Sequence, residues 1–234
     1  MIGKGKSISH GAAALEYDLA KEIDGQAAAT EIARHELYGC TGAEMVQEMK
    51  PYHIDFPNVK NNCLRFEVSP SIEESATFTD ADWAELGNDF MQRMGLANHQ
   101  YIIIRHSGTE SKKEQAHLHI LANRVSLSGE LYRDNWIGKK ATEAANAIAK
   151  ERNFVQSQDI GKVNKAEIKE AMDGVLKKMQ GFDFTKFKEE LGKRGFKVRE
   201  ARASTGKLNG YYVTARSGTE YKASEIGKGY TLAH

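Results

Sequence analysis

The stretch AHLHILANRV places His117 and His119 one residue apart in an apolar run, and His106 ends HQYIIIRH a short way upstream. In an extended chain, residues i and i+2 share a face. The two imidazoles therefore project together, while Leu118, Ile120 and Ala122 turn to the other face, toward a core. If HQYIIIRH and AHLHILANRV pair as a hairpin across the polar SGTESKKEQ, His106 falls beside them. Three neutral imidazoles on one sheet face supply half or more of the coordination shell of a divalent cation and leave positions for substrate oxygens or water. A lone HxH in a strand is more often incidental than ligating, so the third histidine leaves the metal and buried-histidine readings even. A zinc-hydrolase reading needs a further carboxylate or histidine; no HExxH is present, but the loop offers Glu110 and Glu114.

A second chemical candidate is Tyr17, in GAAALEYDLAKEI. Leu15, Leu19 and Ile23 recur at helical spacing, and at about 100° per residue Tyr17 lies roughly opposite that stripe. An ordinary surface contact is one reading. The other is a nucleophile whose phenolate attacks a phosphodiester beside a metal that polarises the phosphate.

These residues need a scaffold, and the chain is long enough for one. Its 234 residues, 40% hydrophobic and 28% charged, suit one large domain or a domain with a small appendage. No run is apolar enough to span a membrane, and MIGKGKSISHG lacks the apolar core of a secretory leader. Two cysteines without CxxC spacing point to a reduced, cytoplasmic protein. Charge is uneven: residues 1–100 carry 8 Lys+Arg against 16 Asp+Glu, and residues 101–234 carry 25 against 16. That surplus suits either a polyanionic partner or solvated lysine-rich helices.

Patterning predicts a strand at GKSIS, a helix over GAAALEYDLAKEI, and short helices over 26–38 and 42–50. Pro51, Pro57 and Pro70 mark an irregular connection over 51–61. NCLRFEVSP alternates as a strand, and Thr79 caps a helix that stops at Gly95. The hairpin over 100–125 follows, then helices at 136–152 and 164–180, a short helix ending at Gly195, and a C-terminal β-meander.

An early-helix tyrosine followed by H…HxHxxxNR resembles the relaxase and mobilisation-nuclease family, HUH-type endonucleases, and is most similar to P-type mobilisation proteins. The similarity runs from GKSISHGAAALEY through LRFEVSPSIEE and TDADWAELGNDFMQRMGLANHQYIIIRH to HLHILANRVSLSGELYRDNWIGKKATEAANAIAKE, and on to GFKVREARASTGKLNGYYV and YKASEIGKGYTL. It implies an α/β (α+β) fold, a central mainly antiparallel sheet bearing the histidines with helices on the other face. It also implies a catalytic core over 1–155 and, over 156–234, a helical segment and strands of the same DNA-binding domain.

The chemistry implied is transesterification. Tyr17 attacks one phosphodiester at a transfer origin in single-stranded or extruded DNA, leaving a 5′-phosphotyrosine and a free 3′-hydroxyl. His106, His117 and His119 hold Mg²⁺ or Mn²⁺. Arg105, Lys112, Lys113, Asn123, Arg124, Lys139 and Lys140 are candidate DNA contacts, and Tyr132, Trp136, Tyr211 and Tyr212 candidate base-stacking residues. Accessory mobilisation proteins and a coupling protein are further implied partners. The family commonly shows His-x-Asp at the first histidine, whereas Gly108 stands here and the following loop is longer. The assisting acid is therefore open among Glu110, Glu114, Glu73 and Glu74. Family members often continue past the last residue here, which makes a fragment of a longer protein an expectation. The rivals are an HUH replication initiator or transposase, a water-using metal phosphoesterase, and a non-catalytic DNA-binding accessory factor. Initiators usually carry their tyrosine after the histidines, and residues 136–195 contain none.

Overall fold

Alternation of apolar residues along five segments builds one antiparallel sheet in this computed structural model, which describes residues 1–23, 25–108 and 115–232. In chain order the first compact unit, Met1–Ser157, contains β1 (Ile2–Ile8), α1 (Gly11–Leu19), β2 (Glu22–Ile23), β3 (Gln26–Ala27), β4 (Ala29–His35) and α2 (Gly42–Met49). It continues with β5 (Cys63–Ser69), α3 (Ile72–Ser75), α4 (Asp80–Arg93), β6 (His99–His106), β7 (His117–Ser126) and α5 (Ile137–Glu151). The sheet order is β1-β5-β7-β6-β4, so the histidine strands β6 and β7 lie inside the sheet and β1 is an edge.

The fold class matches the expectation: mixed α/β, with helices on a central antiparallel sheet. One face, formed by residues such as Phe66, Ile103, Leu118 and Ile120, is sealed by α4 and α5. Thr79 starts α4 with a reciprocal capping box to Asp82, and Gly95 follows its end at φ +72°, where a side chain is disfavoured. Gly3 and Gly5 let α5 lie directly on β1: a Cβ on Gly3 would sit 2.6 Å from the Ala145 Cβ. The expectation of helices on the other face alone is corrected: the histidine face also carries helices. Here α1 and α2 pack over it, burying Leu15 and Met45 against Ile102, Ile104 and Leu121.

Two local expectations change. Residues 26–38 form strands, because edge pairing of β4 with β6 outweighs the helix propensity of three consecutive alanines. The helix bearing Tyr17 stops at Leu19, and Ile23 joins the small β2–β3 hairpin around Gly25, which has φ +77°. The buried positions of α1 are Gly11, Ala14, Leu15 and Asp18, a stripe rotated from the one predicted, with a carboxylate inside it.

The second unit, Gln158–His234, holds most of α6 (Ser157–Leu176), then α7 (Phe184–Lys193), the meander β8 (Lys197–Arg202), β9 (Leu208–Thr214) and β10 (Glu220–Lys222), and α8 (Ala223–Ile226). Its core joins Ile168, Met172, Phe187 and Leu191 to Tyr211 and Val213. No helix among the described residues is long and apolar enough to cross a membrane.

Candidate metal centre

Register alone brings the histidines together. His106 of β6 stands opposite His117 of β7, and His119 is opposite Ile104 one rung along. The ring centroids lie 4.4 Å apart for His106–His119, 4.8 Å for His117–His119 and 5.3 Å for His106–His117. One ligand nitrogen from each ring lies within 4.8 Å of the others. These three rings would hold a divalent cation after a slight inward shift of their nitrogens.

Hydrogen bonds orient two of the three rings. His117 Nδ1 donates to the Gln115 carbonyl at 2.9 Å, which leaves its Nε2 lone pair facing the cluster. His106 Nε2 donates to the Asp18 carbonyl at 2.7 Å, leaving Nδ1. His119 Nδ1 sits 3.4 Å from Arg65 Nη2. Arginine only donates, so this ring carries its proton on Nε2, pointed at His117 Nε2 at 3.1 Å. A cation bound through His119 Nε2 would require that proton to move to Nδ1, at the expense of the Arg65 contact.

Electrostatics favour a bound cation. Burial pushes the His119 pKa down to about 2, helped by His106, His117 and Arg65. Burial also lowers that of His106, against the opposing pull of its bond to Asp18. Rings that resist protonation keep their lone pairs available to a metal at neutral pH. The donor set therefore fits a divalent cation.

Asp18 ties the nucleophile candidate's helix to this cluster. Its carboxylate is buried and accepts from Arg65 Nε at 3.1 Å and from Nη2, while its carbonyl holds His106. Burial raises its pKa in spite of Arg65. Sequence reasoning passed over this acid, although its place with Ala14 and Leu15 on the apolar face was a signal. Tyr17, the preceding residue, is exposed.

The remaining candidates scatter. Glu74 is spent capping Ser71, accepting from Val155 N–H and pairing with the N-terminal amine at 3.6 Å. Glu73 is exposed in the same turn. Glu110, Glu114, Lys112 and Lys113 lie outside the described residues. Asn123 is fully buried and bonded to His53 at 2.6 Å and Gln100 at 2.9 Å, so its amide faces the interior. Arg124 clamps the Asp134 carboxylate at 2.7 Å and the Tyr132 carbonyl. Arg105 pairs with Asp80. Lys139 lies 3.7 Å from Glu143, and Lys140 lies over the Tyr132 ring. Tyr211 is buried, Tyr212 is half-buried under Arg199, and Trp136 is exposed.

The sequence pattern of the family "Relaxase: MobA/VirD2-like, nuclease domain" matches residues 17–154, more than half of the chain. The chain belongs to the MobA/VirD2-like relaxases. In this relaxase-family chain the match begins at Tyr17 and spans all three histidines. Among solved structures, two of TrwC conjugative relaxase in complex with oriT DNA are similar. One, copper-bound, shares 13% identity at a TM-score of 0.37 and covers 88% of this chain and 75% of that one. The other, metal-bound, shares 14% at 0.34, over 88% and 74%. No curated protein matches.

Proposed function

We propose that this nuclease-family protein is a cytoplasmic relaxase that nicks one DNA strand at a transfer origin and so starts mobilisation of a plasmid or integrative element. The observation that carries the reading is the histidine cluster joined to the Tyr17 helix through Asp18. In this reading the Tyr17 hydroxyl attacks phosphorus, its oxygen forms the new P–O bond, and the 3′-oxygen leaves. The phenolic proton passes to solvent or to the leaving oxygen. The product is a 5′-phosphotyrosine that preserves the phosphodiester bond's energy, so a free 3′-hydroxyl can reverse the step.

His106, His117 and His119 would hold the cation, and imidazole donors favour Mn²⁺ over Mg²⁺. When bound, it neutralises charge on the non-bridging phosphate oxygens. Arg65, fixed beside His119 by Asp18, adds a permanent positive charge at the same place. Residues 1–155 form the catalytic core in this assignment. Residues 156–234, with 16 Lys+Arg against 10 Asp+Glu from 158 onward, extend the surface for origin DNA. The accessory and coupling proteins of mobilisation are the proposed partners.

The test incubates the protein and Mn²⁺ with single-stranded oligonucleotides tiling the DNA that flanks its own gene, followed by a denaturing gel. A covalent DNA–protein adduct is expected, absent without metal and absent in Tyr17→Phe, which should still bind DNA. Cleavage without adduct would show a water-using phosphoesterase, and an adduct retained in Tyr17→Phe would show that another residue is the nucleophile.

A further inference from the structure

Trp136 is the largest exposed apolar side chain of the first unit, 81% accessible, and its indole makes no ring contact or hydrogen bond with any described residue. Its backbone is left-handed, at φ +58° and ψ +29°, a conformation that costs a bulky residue of order 1 kcal/mol or more. The neighbourhood holds it there. Arg124 clamps Asp134 and Tyr132, Ile137 N–H donates to the Asp134 carbonyl at 3.1 Å, and the Ile137 side chain is buried. A strained, rigid loop that spends its scaffold on displaying an indole to water has no use in packing.

The surroundings specify the occupant. Gly138, two residues on, lies over the Gly5 carbonyl, so the loop ending at Trp136 meets the edge strand β1 from the α5 side of the sheet. Gly3 and Gly5 face α5, which turns Lys4 and Lys6 onto the histidine face. There they line, with Arg65, Glu67 and His119, a cavity of about 200 Å³. Glu67 neutralises Lys4 at 2.7 Å and Asp18 pairs with Arg65, so Lys6 keeps the cavity positive. Lysines on an edge strand also deter strand pairing, but that use needs no neighbouring tryptophan or cavity.

We infer that Trp136 stacks on a base of single-stranded DNA whose backbone crosses β1 at Lys4 and Lys6 and enters the cavity at His119. This rests on the relaxase reading and adds a base-stacking subsite to it. A flat ring takes any base, so the subsite supplies affinity and register rather than sequence choice.

The chain has two tryptophans, and Trp83 is buried, so quenching of exposed-tryptophan emission reports stacking directly. The probe is an oligo(dT) of roughly 20 nucleotides, with binding followed separately by anisotropy of a dye on the DNA. DNA is expected to quench the Trp136 emission. Trp136→Asn, which removes the ring but suits the left-handed backbone, should weaken binding about tenfold. Its unfolding midpoint should not fall, whereas a packing role would lower it. Trp136→Phe should retain most of the affinity, and decides the matter if the Asn variant is unstable. Lys6→Gln should reduce the salt slope of binding by about 0.7, the value for one single-strand phosphate contact. Binding without quenching, together with unchanged affinity in Trp136→Asn, overturns this subsite alone. No binding by the wild type overturns the DNA reading and the subsite with it.

Discussion

Removing the Asp18 carboxylate tests whether α1 is held on the histidine cluster as described. Asp18 is 1% exposed, and its partner Arg65 is 20% exposed at the side chain. Breaking a buried pair by deleting one member costs about 3–5 kcal/mol, because the survivor stays desolvated and unpaired. Arg65 retains some access to water, which places Asp18→Ala at about 3 kcal/mol. For a protein of this size that lowers Tm by roughly 6–12 °C. Burial already raises the Asp18 pKa, so its negative charge is only partly compensated. Asp18→Asn, which keeps the shape and one acceptor, should cost less, about 1–2 kcal/mol. Asp18→Leu combined with Arg65→Met should recover most of the loss, since apolar replacement of a buried pair is often neutral. Urea unfolding followed by the emission of Trp83, which packs on Phe78 at 5.1 Å, reads the first unit. An Asp18→Ala loss under about 0.5 kcal/mol, or a double variant as unstable as the sum of its parts, refutes the tether.

Gly3→Ala should destabilise the same unit by about 1–3 kcal/mol, because the new methyl meets Ala145 and the α5 backbone; an unchanged urea midpoint would contradict the close β1–α5 packing. Burial lowers the pKa of His99, whose Nδ1 donates to the Asn123 carbonyl at 2.9 Å. The unfolded chain therefore takes this proton first, and stability is lost as pH falls below about 6.5. His99→Asn should flatten the fall between pH 7 and 5 by up to about 1.4 kcal/mol per pH unit; an identical slope would mean His99 protonates equally in both states.

The hairpin was legible in sequence because its signal is local: alternation set the faces of β6 and β7, and the histidines sat at their ends. Thr79 and Gly95 were equally readable, since a cap and a left-handed stop depend on a few neighbouring residues. What sequence hid was decided at a distance. The Ala27–Ala29 run reads as helix until β6 claims β4 as its edge partner. The role of Asp18 depends on Arg65, which reaches it from β5. With α1 over the histidine face, an acid next to Tyr17 becomes the buried anchor.

The HxHxxxNR element now divides into two physical parts. His117 and His119 point into the cluster, whereas Asn123 and Arg124 do their work away from it. Asn123 is buried and ties β7 to His53 and Gln100. Arg124 reaches from the same strand to Asp134 and the Tyr132 carbonyl, fixing the loop that ends in Trp136. The strand that presents His117 and His119 thus also sets the loop that displays the exposed indole. The Asn-Arg pair contributes through what it holds in place rather than by facing the histidine cluster. Its arginine should therefore be sensitive to Lys replacement, because one ammonium cannot clamp a carboxylate and a carbonyl with the fixed fork of a guanidinium.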